Sequence, residues 1–148
     1  MLYQVGQILL SLAILVAALL LIAVPLAIRD FRAKRRKTAA AFAGRARLDE
    51  HTFYRRYFMS RGVPEFIVSQ TKKILEDELD ADLSRLAPED DFTKNLSFLF
   101  DDYSLSGVYI VERLEKEFYI KISDAEAADA HTFEDIINLV WLKLRRVA

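Results

Sequence analysis

The sequence contains no cysteine and little glycine, and these scarcities exclude several classes of protein. Without cysteine there is no disulfide framework, no thiolate zinc site and no cysteine nucleophile. The four glycines are dispersed, so no glycine-rich loop is available to cradle a phosphate. The two histidines, His51 and His131, are far apart and lack the spacing of a metal-binding pair. We therefore predict no metal site and, because a membrane-bound hydrolase would need a nucleophile and a base, no enzymatic activity.

Charged residues are absent from the N-terminal part of the chain, since no Asp, Glu, Lys or Arg precedes Arg29. Residues 8–28 form an apolar run that only Ser11 and Pro25 interrupt. A run of about 21 residues, rising 1.5 Å per residue, crosses a hydrocarbon core of roughly 30 Å. A buried core helix of a soluble protein would be shorter and would have a polar face. We therefore predict a single transmembrane helix.

Positive charge follows the apolar run, because residues 29–47 contain eight Lys or Arg and a single acidic residue, Asp30. A cleaved secretory signal would instead have its positive charge before the run. The positive-inside rule thus predicts a single-pass protein of the inner (plasma) membrane, with the N-terminus outside and the C-terminal domain cytoplasmic. Two interpretations of the basic residues are open. They act only as this orientation signal, or they also bind anionic lipid, in which case each Lys or Arg contributes about 1 kcal/mol to membrane binding. The predicted membrane-surface residues are Arg32, Lys34, Arg35, Arg36 and Lys37.

The rest of the chain is acidic, with 13 basic and 21 acidic residues and thus a net charge of about -8. Such a domain would repel a phosphate backbone, so we expect no nucleic-acid partner. The composition divides the chain into a transmembrane anchor at residues 1–28, a basic juxtamembrane stem at 29–50 and a helical domain at 51–148.

Hydrophobic periodicity predicts four main helices in this domain, preceded by a short aromatic-rich segment at residues 52–59. The first main helix spans residues 64–79, with Pro64 in its first turn. We predict a loop at residues 80–91, which Leu83 and Leu86 attach to the core. The fold class is therefore all-α, a single transmembrane helix followed by a four-helix bundle. The predicted apolar stripe of the first helix is Phe66, Ile67, Ile74, Leu75 and Leu79.

The second main helix, at residues 104–118, has the clearest amphipathic pattern in the chain. Capping signals open the remaining two helices, a Ser-x-x-Glu box at Ser123 and a second capping residue at Thr132. The predicted apolar stripe of the second helix is Leu105, Val108, Val111, Leu114 and Phe118. The predicted inward face of the last helix is Phe133, Ile136, Ile137, Val140 and Leu144.

Four segments follow one another in a distinctive order: Ser104-Leu105, Leu114-Glu-Lys-Glu-Phe118, Ile122-Ser-Asp-Ala-Glu126 and Thr132-Phe-Glu-Asp-Ile136. In order and spacing they resemble the acyl carrier protein family. That family has a loop ending in Asp-Ser-Leu, a helix ending in a Leu-Glu-x-Glu-Phe-like segment, a short Ile-x-Asp-x-Glu helix and a final helix starting Thr-x-x-Asp-Ile. The resemblance covers residues 68–144 and implies that the domain at 51–148 is a four-helix acyl-carrier-like bundle.

By this resemblance, Ser104 lies where the family attaches phosphopantetheine, an arm ending in a thiol that carries an acyl group as a thioester. The backbone N–H groups at a helix N-terminus favour a neighbouring phosphate. The family's Asp before the serine is Tyr103 here, with Asp102 and Asp101 displaced by one and two places. The alternative is that Ser104 is an unmodified N-cap, a position at which serine is preferred.

Two functions follow from the resemblance. The first is a membrane-tethered carrier that presents a phosphopantetheine-linked acyl group to an acyl-transfer or other partner enzyme, after modification by a phosphopantetheinyl transferase. The second is an unmodified protein-docking module with the same fold, for which Phe100, Tyr103 and Tyr109 would be aromatic anchors. The predicted partner-binding residues are Asp101, Asp102, Tyr103, Leu105, Tyr109, Glu112 and Glu115.

Overall fold

The computed structural model describes residues 2–100 and 105–147, and the regular elements in these residues are all helical. The α-helices are α1 (Leu2–Ala41), α2 (Glu50–Tyr57), α3 (Glu65–Leu79), α4 (Ser106–Phe118), α5 (Asp124–Asp129) and α6 (Phe133–Val147). In the described residues, extended pairing is limited to one isolated bridge between Asp91 and Thr132. The all-α prediction is confirmed. The chain forms two compact units, Met1–Arg36 and Lys37–Ala148.

Helix α1 is 40 residues long and contains the apolar run. Its segment Ser11–Ala41 is long and apolar enough to cross a membrane, with a hydropathy of 2.8 over its most apolar stretch, none of which is buried. The Ser11 hydroxyl donates a 2.8 Å hydrogen bond to the carbonyl of Gln7, so this polar group is satisfied within its own helix. Length and composition thus make α1 a candidate membrane span.

The core of the second unit lies where α3 packs against both α4 and α6. Most of the predicted inward faces are confirmed. The buried apolar side chains of these three helices are Ile67, Val68, Ile74, Leu75, Leu79, Ile110, Leu114, Phe118, Phe133, Ile137 and Val140. In the loop before α4, Leu83 and Leu86 are buried as predicted, and Phe92, Leu96 and Leu99 are buried with them.

Three predicted core residues are exposed instead. Phe66 is 55% exposed, because its neighbour Ile67 occupies the inward position of α3. Leu105 is the residue before the first turn of α4 and is 59% exposed. Val108 is 52% exposed, since the inward face of α4 is centred on Ile110, and residues two apart on a helix point in different directions.

The starts of α5 and α6 agree closely with the predicted capping signals, whereas α4 begins at Ser106, two residues later than predicted. The Ser123 side chain accepts from the backbone N–H of Glu126 while the Glu126 carboxylate accepts from Ser123, which confirms the capping box. Thr132 and Asp135 make a similar reciprocal pair, with bonds of 3.1 and 2.9 Å. Helix α3 begins one residue later than predicted, because Pro64 has an extended backbone and acts as the N-cap.

The segment before α3 is part of the core of the second unit. Phe42, Phe53 and Phe58 are almost completely buried. The rings of Phe53 and Phe58 lie 5.7 and 5.9 Å from that of Phe133, both edge to face. The bundle therefore includes residues well before the region of resemblance at 68–144.

Candidate functional site

The predicted modification site lies between two described segments. Four of the predicted site residues fall outside the described part of the chain: Asp101, Asp102, Tyr103 and Ser104. On the C-terminal side, α4 begins at Ser106 with Leu105 as its N-cap residue, and its first turn contains no acidic residue. A helix N-terminus without a carboxylate favours a bound anion, because the helix dipole places partial positive charge there.

An apolar cavity of about 380 Å³ lies between helices α3, α4, α5 and α6 and the connector, as we call residues 80–100. The lining side chains that belong to the described residues are all apolar. Five of them are buried and form the inner wall: Leu75, Phe92, Ile110, Leu114 and Ile122. The volume falls within the range of about 300–1,000 Å³ that is typical of small-molecule sites. The cavity therefore suits an apolar group, and its described side chains offer no hydrogen bond to a polar one.

The exposed lining residues lie on α4 and α5. They are Gly107, Val108 and Ala128, whose small or exposed side chains leave the cavity accessible. The ring of Phe100, which also lines the cavity, lies 3.9 Å from where a Cβ of Gly107 would stand. Phe100 precedes residues 101–104 in sequence and Gly107 follows them. The cavity is therefore lined by residues before and after the predicted modification site.

The outer surface of α4 is apolar in its N-terminal half. Leu105, Val108 and Tyr109 are about half exposed, at 59%, 52% and 49%. Leu105 and Tyr109 are predicted partner-binding residues, as is Glu112, which is also exposed. Val108 was not predicted as a surface residue, because its place in the apolar stripe indicated burial.

Glu115, another predicted partner-binding residue, is engaged within the domain. Its carboxylate accepts a 2.8 Å hydrogen bond from the backbone N–H of Ile122 and lies 3.2 Å from the Lys121 ammonium. The hydrogen bond from Ile122, together with Lys121, lowers the pKa of Glu115. Glu115 thus closes the turn between α4 and α5. The sequence did not indicate this role, because both partners lie outside a helix.

Arg113 on α4 is likewise engaged within the domain. Its guanidinium donates to Glu78 at 2.9 Å and to Asp77 at 3.2 Å on α3. These two carboxylates belong to the acidic run at residues 76–78, and they join α3 to α4. The hydrogen bond with Glu78 is the main cause of the raised pKa of Arg113.

The predicted membrane-surface residues lie in α1. Arg32, Arg35, Arg36 and Lys37 are exposed, and Lys34 is partly buried. The Arg35 guanidinium lies 5.7 Å from the centre of the Phe31 ring, a cation–π geometry.

Asp90 is a structurally important residue that the sequence did not single out. It was interpreted as a loop residue, yet only 2% of it is exposed. Its carboxylate pairs with both terminal nitrogens of Arg45, at 2.5 and 3.0 Å. The hydrogen bond with Asp90 is the main cause of the raised pKa of Arg45. The two residues are 45 positions apart, and no spacing rule connects them.

The helical bundle, with its apolar cavity beside α4, can be compared with known proteins. The chain is 31% identical over 74 residues to the acyl carrier protein of Thermosynechococcus vestitus. It is 34% identical over 74 residues to the acyl carrier protein of a Picosynechococcus species. Each match covers 50% of this chain and 86% of the relative. No family model matches the chain. The chain belongs to the acyl carrier protein family.

Proposed function

We propose that this protein is a membrane-tethered acyl carrier that holds phosphopantetheine on Ser104 and presents the linked acyl group to acyl-transfer enzymes. The observation that carries the proposal is the apolar cavity, whose lining residues Phe100 and Gly107 flank residues 101–104. Burying an alkyl chain in such a cavity stabilises it by about 25 cal/mol per Å² removed from water. The wall formed by Ile110, Leu114 and Ile122 would shield that chain from solvent.

The described residues fit phosphopantetheine in two respects. Helix α4 begins at Ser106 without an acidic residue in its first turn, so its N–H groups favour a phosphate on a nearby serine. When bound, phosphopantetheine supplies the thiol that this cysteine-free chain lacks. The partner that installs it would be a phosphopantetheinyl transferase, which would meet Tyr103 where the family has an Asp.

Intact-mass measurement of the full chain, purified from its native host, tests the modification. We expect an added mass of one phosphopantetheine in the wild-type protein and its loss in Ser104→Ala. Ser106→Ala is the matched control, since it removes a neighbouring serine and should keep the added mass. A wholly unmodified wild-type population, or an added mass that survives Ser104→Ala, would contradict the proposal.

Membrane tethering is the second part of the proposal, and the apolar length of α1 supports it. The positive charge after residue 28 favours a cytoplasmic C-terminal domain. Tethering would raise the effective concentration of the carrier for membrane enzymes. We expect the chain to stay with membranes at alkaline pH and its C-terminal domain to be digested only in inverted vesicles. Digestion in intact spheroplasts would reverse the orientation, and release at alkaline pH would refute the span.

A second function, an unmodified docking module, is favoured by the exposed apolar surface of Leu105, Val108 and Tyr109. Aromatic side chains of this kind are common anchors of protein interfaces. A module of this type would keep its partner in Ser104→Ala and lose it in Tyr109→Ala. Tyr119→Ala is the control, because Tyr119 is exposed at the other end of α4. Retention of the partner by both Tyr variants would exclude this surface.

A further inference from the structure

The Asp90 carboxylate has four hydrogen-bond donors around it. Arg45 donates two hydrogen bonds, and the other two come from the backbone N–H of Ala87 at 2.7 Å and the side-chain amide of Asn95 at 2.9 Å. The Arg45 guanidinium also lies 5.6 Å from the centre of the Phe42 ring. The segment just before α2 is therefore attached to the connector by a two-pronged, charge-assisted contact with a buried partner.

This contact continues along the connector toward the cavity. The Asn95 side chain, which donates to Asp90, also accepts from the backbone N–H of Asp91 at 2.9 Å. The carbonyl of Asp91 in turn accepts from the N–H of Leu96 at 3.0 Å. Phe92 and Phe100 lie on this part of the chain, and their rings meet edge to face at 6.1 Å. Both rings line the cavity.

Arg47 lies two residues beyond Arg45 and makes a different kind of contact. It pairs with Asp82 at 2.6 Å, and both side chains are more than half exposed. An exposed pair of this kind contributes little to stability. Asp82 is hydrogen-bonded to the backbone N–H of Ser84 and has no bond to residues 91–100 in the described structure. The two arginines thus separate a general effect of losing a cation from an effect on the cavity.

We propose that Arg45 is a positioning residue for the acyl site: by fixing Asp90 it holds the connector so that Phe92 and Phe100 form one side of the cavity. The inference deepens the proposed function, because it rests on this cavity being the acyl site. Without Arg45 the Asp90 carboxylate would be buried without its cation, which is costly, and the connector would open to hydrate it. The backbone bonds Phe92–His131 and Phe133–Asp90 would remain and keep the connector attached to the start of α6.

The test is amide hydrogen exchange on the full chain in detergent micelles, comparing Arg45→Met with Arg47→Met. We expect exchange in residues 91–100 to be at least tenfold faster in Arg45→Met and to change less than twofold in Arg47→Met. Amides of α6 report global opening and should be alike in the two variants. Methyl NMR gives the cavity readout: the Ile110 and Ile122 resonances should shift in Arg45→Met alone, with Ile67, outside the cavity, as the internal reference.

Equal exchange at residues 91–100 in the two variants would overturn the proposal. So would an acceleration that includes α6 and the Ile67 methyl equally, since that pattern indicates loss of global stability. Should Arg45→Met not fold, Arg45→Lys and Arg47→Lys decide the question, because lysine keeps the charge and loses the two-pronged bond. Hydrogen exchange and methyl NMR are both repeated in the Ser104→Ala background, in which the predicted modification site is absent. Failure of modification at Ser104 would refute the carrier function and leave the coupling of Arg45 to the cavity measurable.

Discussion

The contact between Phe53 and Phe133 gives a quantitative test of whether α2 belongs to the carrier bundle. Both side chains are completely or almost completely buried, and their rings meet at 5.7 Å and 67°. An edge-to-face pair contributes about 0.5–1.5 kcal/mol beyond the area that it buries. We expect Phe53→Leu and Phe133→Leu each to lower the free energy of unfolding by about 1–2 kcal/mol. In the double variant, a coupling energy of about 1 kcal/mol should remain after the single effects are subtracted.

The assay is urea unfolding of the full chain in detergent micelles, followed by the fluorescence of Trp141. This is the only tryptophan, and it lies on α6, packed against the core. The control cycle uses Phe66 and Phe118, whose rings are 6.4 Å apart and of which Phe66 is half exposed, so their coupling should be below about 0.5 kcal/mol. Additive effects of the Phe53 and Phe133 changes would mean that α2 does not pack on α6 in solution.

Three further predictions concern stability. Tyr119, at the end of α4, is 90% exposed and has a φ of 53°. We expect Tyr119→Gly to raise the free energy of unfolding in urea by about 0.5–1 kcal/mol, because glycine adopts this left-handed conformation without strain. Asp80→Gly should raise it by less, because Asp tolerates the conformation better than Tyr does. Hydrogen bonds from Thr93 and Lys94 hold the pKa of Asp91 at about 2, and those from Lys143 and Ser123 do so for Glu126. Carboxyl groups of the unfolded chain titrate near pH 4, so the free energy of unfolding should fall as the pH is lowered from about 4 to about 2. Unfolding followed by circular dichroism measures this fall. It should be less steep in Asp91→Asn and in Glu126→Gln than in the wild-type protein. Ser123→Ala should cost about 1 kcal/mol in thermal melting through loss of the capping box, and no change would refute that role.

The sequence predicted those parts of the fold that depend on local patterns. The apolar length of α1, the periodicity of α3 and α6 and the cap at Ser123 each depend on one continuous stretch of sequence. Phe66 and Val108 were placed wrongly for the same reason. A wide apolar stripe shows that a helix is amphipathic, but the packing of its neighbours decides which edge of the stripe is buried.

The candidate site was less accessible to sequence reasoning. Resemblance indicated Ser104 and the helix that follows it, and the modification of Ser104 stays a prediction. The cavity is built from five separate parts of the chain, and the contact of Arg45 with Asp90 joins residues 45 positions apart. Neither leaves a periodic signal, because both depend on how the connector folds back on the helices.

The charges on α4 bear on how this carrier would recognise an enzyme. The sequence of α4 contains both acidic and basic residues. In the structure, Arg113 is paired with Glu78 and Asp77 of α3, and Glu115 is bonded to the turn before α5. The groups left on the outer surface near Ser106 are chiefly apolar, with Tyr109 among them. Because exposed ionic contacts contribute little and buried aromatic anchors contribute much, we expect recognition to depend on the N-terminal half of α4 more than on its acidic residues.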